Sequence, residues 1–181
     1  MITLRPGDIF VSENPSAFLK FFIMHAQKAM AMDSHAKYGH AGIIVDSEGK
    51  TFESGIRVQG MNGIRIGYGN LFEDYIGTEV MILRHEKMTE KVFRDAFIPL
   101  AVEYNKKIYP IWRLPLMLSP MLARKLHLTN SGVCSEIAAK LLYNAELLPE
   151  WKSVYPDYLA DLGHEIYGMK KFHVVWEGVI E

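Results

Sequence analysis

Hydrophobic and polar positions alternate along this chain in short blocks, and the blocks predict a mixed architecture. Pro6-Gly7-Asp8 reads as a turn leading into an apolar strand, Ile9-Phe10-Val11. Asn14-Pro15-Ser16 then opens a predicted helix from about Ala17 to Met32, rich in Phe18, Phe21, Phe22, Met24 and Ala26. Gly39-His40-Ala41-Gly42-Ile43-Ile44-Val45 ends in β-branched residues, Asp46 to Lys50 has turn chemistry, and Thr51-Phe52-Glu53-Ser54 returns as a second strand. Glycines at 55, 60, 63, 67 and 69 predict a mobile or tightly turning loop from Gly55 to Gly69, with one short strand around Ile56 to Val58.

The second half is more helical. Glu79 to Arg84 is a predicted strand, and Thr89 is placed to cap a helix running to about Tyr104 through Phe93, Phe97 and Val102, with Pro99 as a potential kink. From Tyr109 to Leu128 an apolar stretch is interrupted by Pro110, Pro115 and Pro120. It fits a lid, a lipid contact or a loop packed on the core. A helix with Ile137, Ala138, Leu141 and Leu142 follows, then a linker, a short helix from Pro156 to Leu162 and a closing strand from Phe172 to Trp176. That order predicts an α+β fold with an antiparallel sheet packed against helices, over one domain spanning 1–181 with an insertion at about 105–129.

Composition narrows the classes. The 181 residues are 49% hydrophobic and 23% charged, ordinary for a globular chain with a sizeable core. Twenty Lys and Arg against 21 Asp and Glu leave a net charge of −1, so nothing in the charge points to nucleic acid. One cysteine excludes an internal disulfide framework and a multi-cysteine zinc site. No apolar run approaches 18 residues, and the first residues lack a charged segment followed by an apolar core. A cytoplasmic location without a transmembrane segment is therefore expected, with export by another route left open.

The chemistry centres on that cysteine. Asn130-Ser131-Gly132 is a polar turn, and Cys134 follows it on the first turn of the predicted helix. Unpaired N–H groups and the helix dipole favour a thiolate there, although most lone cysteines are small buried hydrophobes. A nucleophile needs a base and a group that orients the base. Of seven histidines, at 25, 35, 40, 85, 127, 164 and 173, His40 is best placed, because it heads a strand beside glycines. Glu53 is a carboxylate inside an otherwise apolar return strand. A loop of two or four residues in the hairpin puts Glu53 on the face of His40; a loop of three puts the two on opposite faces.

Gly7-Asp8-Ile9-Phe10, Tyr38-Gly39-His40-Ala41-Gly42-Ile43-Ile44, Phe52-Glu53-Ser54 and Val133-Cys134-Ser135-Glu136, in that order, resemble the circularly permuted branch of the NlpC/P60 papain-like superfamily. The similarity is to its YiiX/YebB-like group, with lecithin-retinol acyltransferase-like enzymes as more distant relatives, and it covers about half of the chain. The resemblance implies Cys134 as nucleophile, His40 as general base, Glu53 as the orienting acid and Asp8 as a structural residue of the first turn. It further implies a thiol hydrolase acting on a peptide, peptidoglycan-derived or acyl-lipid substrate, without cofactor or metal. The insertion at 105–129 and the Gly55–Gly69 loop depart from the plain family pattern. Three alternatives stay open: a lipid acyltransferase or esterase on the same residues, a binding module with a mis-registered triad, and a metal site from His35, His40 and Glu53, whose spacing matches no standard ligand signature. Substrate identity and oligomeric state are not fixed by these residues.

Overall fold

The computed structural model describes residues 2–13, 37–57, 64–108, 134–152, 154–164 and 171–181. The helix expected over 17–32, His35 and most of the 105–129 insertion lie outside them. Six strands form one antiparallel sheet: β1 (Ile9–Ser12), β2 (His40–Ile44), β3 (Lys50–Arg57), β4 (Ile64–Asn70), β5 (Glu79–His85) and β6 (Phe172–Val179). Their order in space is β4-β3-β2-β1-β5-β6. Four helices are described as well: α1 (Leu71–Asp74), α2 (Glu90–Tyr104), α3 (Cys134–Asn144) and α4 (Pro156–Gly163). The fold is α+β, as the order of elements predicted.

The β2–β3 hairpin closes through four residues. Asp46 Oδ1 accepts the N–H groups of Glu48 at 2.9 Å and Lys50 at 3.0 Å, and Gly49 takes φ +90°, a left-handed conformation that suits glycine. Val45 N–H then donates to the Lys50 carbonyl at 2.7 Å. The resulting register pairs Ile44 with Thr51, Ile43 with Phe52 and Gly42 with Glu53. Glu53 therefore sits on the face of His40, one diagonal away.

Where it is described, the glycine-rich segment is strand: the short strand expected around Ile56 is the end of β3, residues 64–69 are not the expected loop, and 58–63 lie outside the described residues. β3 runs on to Arg57, and residues 64–70 return as β4, with Glu53 opposite Gly67 and Thr51 opposite Gly69. The glycines mark a strand whose neighbour's side chains lie over it. A Cβ at Gly69 would come within 2.7 Å of Asp74 Oδ2, 2.9 Å of Thr51 Oγ1 and 3.2 Å of Glu53 Oε1. The remaining differences are extensions: the closing strand reaches Val179, and the short α1 follows β4 directly, capped by Asn70 Oδ1 on Phe72 N–H at 2.9 Å.

The two faces of the sheet are covered differently. On one, Ile9, Val11, Ala41, Ile43, Phe52, Ile66, Met81 and Leu83 pack against α2, α3 and α4 through Phe93, Phe97, Leu100, Ile137, Leu141 and Leu159. Burial of these large side chains is the main favourable contribution to the fold. Thr89 caps α2, its Oγ1 accepting Val92 N–H at 3.3 Å, and the helix continues past Pro99 to Tyr104. On the other face a smaller cluster gathers Leu4, Phe10, Ile44, Leu71, Tyr75, Val80, Ile82 and Ile180.

Asp8 ties the first turn to β5. Its carboxylate accepts Arg84 Nε–H and an Arg84 Nη2–H, both at 2.7 Å, and also Arg5 N–H at 2.8 Å. The side chain of Asp8 is only 1% exposed, so removing it leaves the Arg84 guanidinium without its buried counter-charge. Asp8→Ala should lower the unfolding free energy in urea by about 3 kcal/mol. A loss below about 0.5 kcal/mol, typical of an exposed pair, would contradict the structural role given to Asp8.

Candidate active site

The site begins where β3 leaves β2. Along β2, alternate residues turn their N–H groups toward opposite neighbours, and Val45 and Ala41 share the direction of β3. The β2–β3 pairing ends at Gly42 and Glu53, and β3 is bulged between Ser54 and Ile56. The N–H of Ala41 is thereby released from the ladder. It acts instead on the sulfur of Cys134, where it and the N–H of Ser135 in α3 both favour the charged form. Ser135 anchors the helix start through its own hydroxyl, which donates to the Val154 carbonyl at 2.7 Å.

The structure brings Cys134, His40 and Glu53 together. His40 Nε2 lies 2.6 Å from Glu53 Oε2. The same histidine interacts with Cys134, and with Nε2 engaged by the carboxylate, Nδ1 is the nitrogen left to serve the sulfur. One ring thus links acid and thiol. The side chains are protected from solvent, with 14% exposure for His40 and 1% for Glu53. Cys134 is a free thiol, 5% exposed, at the first position of α3.

Burial opposes charge on all three groups, yet their proximity outweighs it. Desolvation pushes the Cys134 thiol up, but the adjacent His40 and the N–H groups of Ala41 and Ser135 leave it below its ordinary value. Desolvation likewise works against an imidazolium, but Cys134 and Glu53 raise His40 to about 10. Glu53, despite its burial, is held below the usual carboxylate range by His40, Thr51 and Tyr75. The two shifts run in opposite senses, the thiol lowered and the imidazole raised, and both favour a Cys134 thiolate paired with a His40 imidazolium.

Several contributors were not among the residues singled out from the sequence. Thr51 Oγ1–H donates to Glu53 Oε1 at 2.6 Å, and the Tyr75 hydroxyl donates to Glu53 Oε2. The Tyr75 ring stacks over the imidazole with centroids 6.0 Å apart, and Phe10 meets Tyr75 edge-on at 5.1 Å. Gly42 makes room for this arrangement, since a Cβ there would collide with the Phe10 ring and reach 3.0 Å from Glu53 Cβ. Thr51 is two residues from Glu53, the spacing of a shared strand face; Tyr75 is 22 residues away and follows no motif.

The other described histidines lie elsewhere. His85 is buried against Phe172, its Nδ1 accepting Lys87 N–H at 3.1 Å, His164 is exposed at the end of α4, and His173 is exposed on β6. Among the described residues no group of three His, Cys, Asp or Glu side chains is placed to hold a metal ion, and no helix is long and apolar enough to cross a membrane. No protein-family model and no curated protein matches the sequence.

Cys134 is the single cysteine of the chain, so its reactivity can be read without mutation. The thiolate–imidazolium pair predicts that alkylation by iodoacetamide slows less than about five-fold between pH 8 and pH 6, against about 75-fold for an ordinary thiol with a pKa of about 8.5. His40→Ala should restore the steep dependence. A steep profile in the wild-type protein would show that the pair is not charged.

Proposed function

We propose that the chain is a cysteine hydrolase that cleaves an amide bond, in a peptide or cell-wall peptide, through Cys134, His40 and Glu53. The observation that carries this reading is His40 set between the Glu53 carboxylate, 2.6 Å from its Nε2, and the Cys134 thiol, with the sulfur at a helix start. A buried structural cysteine needs neither a charged imidazole nor a buried carboxylate behind it. The chain order of histidine strand, acid strand and cysteine helix is also that of the permuted papain-like branch, which supports the same chemistry.

In the proposed reaction the Cys134 thiolate attacks the carbonyl carbon of the scissile amide, and the carbonyl π electrons move to oxygen. The N–H of Cys134 and a neighbouring donor accommodate that oxyanion at the positive end of α3. The His40 imidazolium gives its Nδ1 proton to the leaving nitrogen, the C–N bond breaks, and an amine departs from a thioester. Water then attacks the thioester while His40 takes its proton. Collapse releases a carboxylic acid and restores the thiolate and imidazolium. Glu53 fixes the ring orientation and stabilises its positive charge throughout.

Amine release from a peptide and muropeptide panel, set beside fatty-acid release from phospholipid vesicles, tests the assignment. Amide cleavage is expected, with kcat/KM falling at least about 10⁴-fold in Cys134→Ala and about 10²-fold in Glu53→Gln. Fatty-acid release without amide cleavage would move the substrate to the acyl-lipid class. Persistence of either activity in Cys134→Ala would remove the cysteine from the mechanism.

A further inference from the structure

Glu53 poses a problem that His40 alone does not solve. A carboxylate with 1% exposure has lost its water, and an ionised carboxylate in such a place needs several donors. His40 supplies one. Thr51 Oγ1 supplies a second to Oε1, and the Tyr75 hydroxyl a third to Oε2, the oxygen that also receives His40. Both hydroxyl-bearing residues are buried, Thr51 completely and Tyr75 to 6% exposure. Tyr75 sits in the cluster of Phe10, Leu71 and Ile180, where a phenylalanine would fill the space equally well. Its hydroxyl is what distinguishes it, and that hydroxyl is directed at the acid of the site.

Position reinforces the point. Tyr75 terminates α1, and its carbonyl accepts Thr78 N–H at 2.9 Å while Ile76 bridges to Ile180. The phenol is thus held from the backbone side. Its ring covers the imidazole, and Phe10 closes the adjoining edge with its centroid 6.1 Å from the His40 ring. Water is thereby kept from the His40–Glu53 bond, which strengthens it.

We propose that Tyr75, with Thr51, is a positioning residue of this site: the two hydroxyls fix the Glu53 carboxylate so that Oε2 meets His40 Nε2, and they hold its charge in place of water. The proposal rests on the hydrolase reading and deepens it. The charged and titratable groups around Glu53 are His40 on β2, Tyr75, the thiol of Cys134 beyond His40, and Asp74, whose Oδ2 accepts Asn70 N–H at 2.7 Å and faces the same space beside Gly69. Asp74 and the thiolate both disfavour a further negative charge. Without a hydroxyl donor Glu53 accordingly takes up a proton at higher pH, His40 loses its counter-charge, and the thiolate is surrendered earlier on acidification.

Three variants read this directly through the pH dependence of Cys134 alkylation. Tyr75→Phe keeps the ring and removes the hydroxyl, and should raise the low-pH midpoint by about one unit, as expected for one hydrogen bond to a charged group. Thr51→Val should shift it in the same direction, and Thr51→Ser, which keeps the donor, should leave it unmoved. A folded Tyr75→Phe with the wild-type midpoint, or equal shifts in Thr51→Val and Thr51→Ser, would overturn the positioning role. Either result leaves the hydrolase reading intact when the wild-type thiol stays reactive at pH 6. An ordinary thiol profile in the wild type would sink the hydrolase reading itself.

Discussion

A charged carboxylate out of water is the constraint to which much of this structure answers. Glu53 lies in the middle of a strand, and its burial would be costly without compensation. The compensation is spread over the fold: a histidine on β2, a threonine on β3 and a tyrosine at the end of α1. Space for them comes from glycine. Gly42 leaves room for the Phe10 ring beside Glu53, and Gly69 lets Thr51 and Glu53 lie across β4. Few of these residues are explained by packing alone; all are explained by the acid.

The same sheet separates the partners. The helix carrying Cys134 packs on the large apolar face, whereas Glu53 shares the opposite face with Phe10, Ile44 and Tyr75. They communicate at the end of β2, where β3 has turned away and His40 touches both. The interruption of the β2–β3 ladder is therefore productive. It frees the Ala41 N–H for the sulfur, adding a backbone donor to those a helix start already provides. A regular hairpin carried one pair further would have consumed that donor.

Much of this was legible in the residues. The four-residue turn at Asp46–Gly49 dictates the parity of the hairpin, and parity alone puts Glu53 on the side of His40. The helices around Thr89 and Cys134 followed from apolar periodicity and capping, both of which are local. The failures have a common cause. Glycines at 67 and 69 look like loop residues when read locally, and only the neighbouring Thr51 and Glu53 explain why a strand needs them. Tyr75 is likewise invisible, since its role depends on a contact across 22 residues that no period encodes. The meeting of His40 and Glu53 was readable; the groups that hold the carboxylate were not.

The charge state of the resting site decides whether this chemistry operates. Nitrogen-15 NMR of the His40 ring in the wild-type protein and in Cys134→Ala at neutral pH measures it directly. Both ring nitrogens should be protonated in the wild type, with His40 reverting toward a neutral imidazole when the thiolate is removed, because Cys134 is the largest favourable influence on its charge. A neutral His40 in the wild type, unchanged by loss of the sulfur, would contradict the thiolate–imidazolium pair and the chemistry built on it.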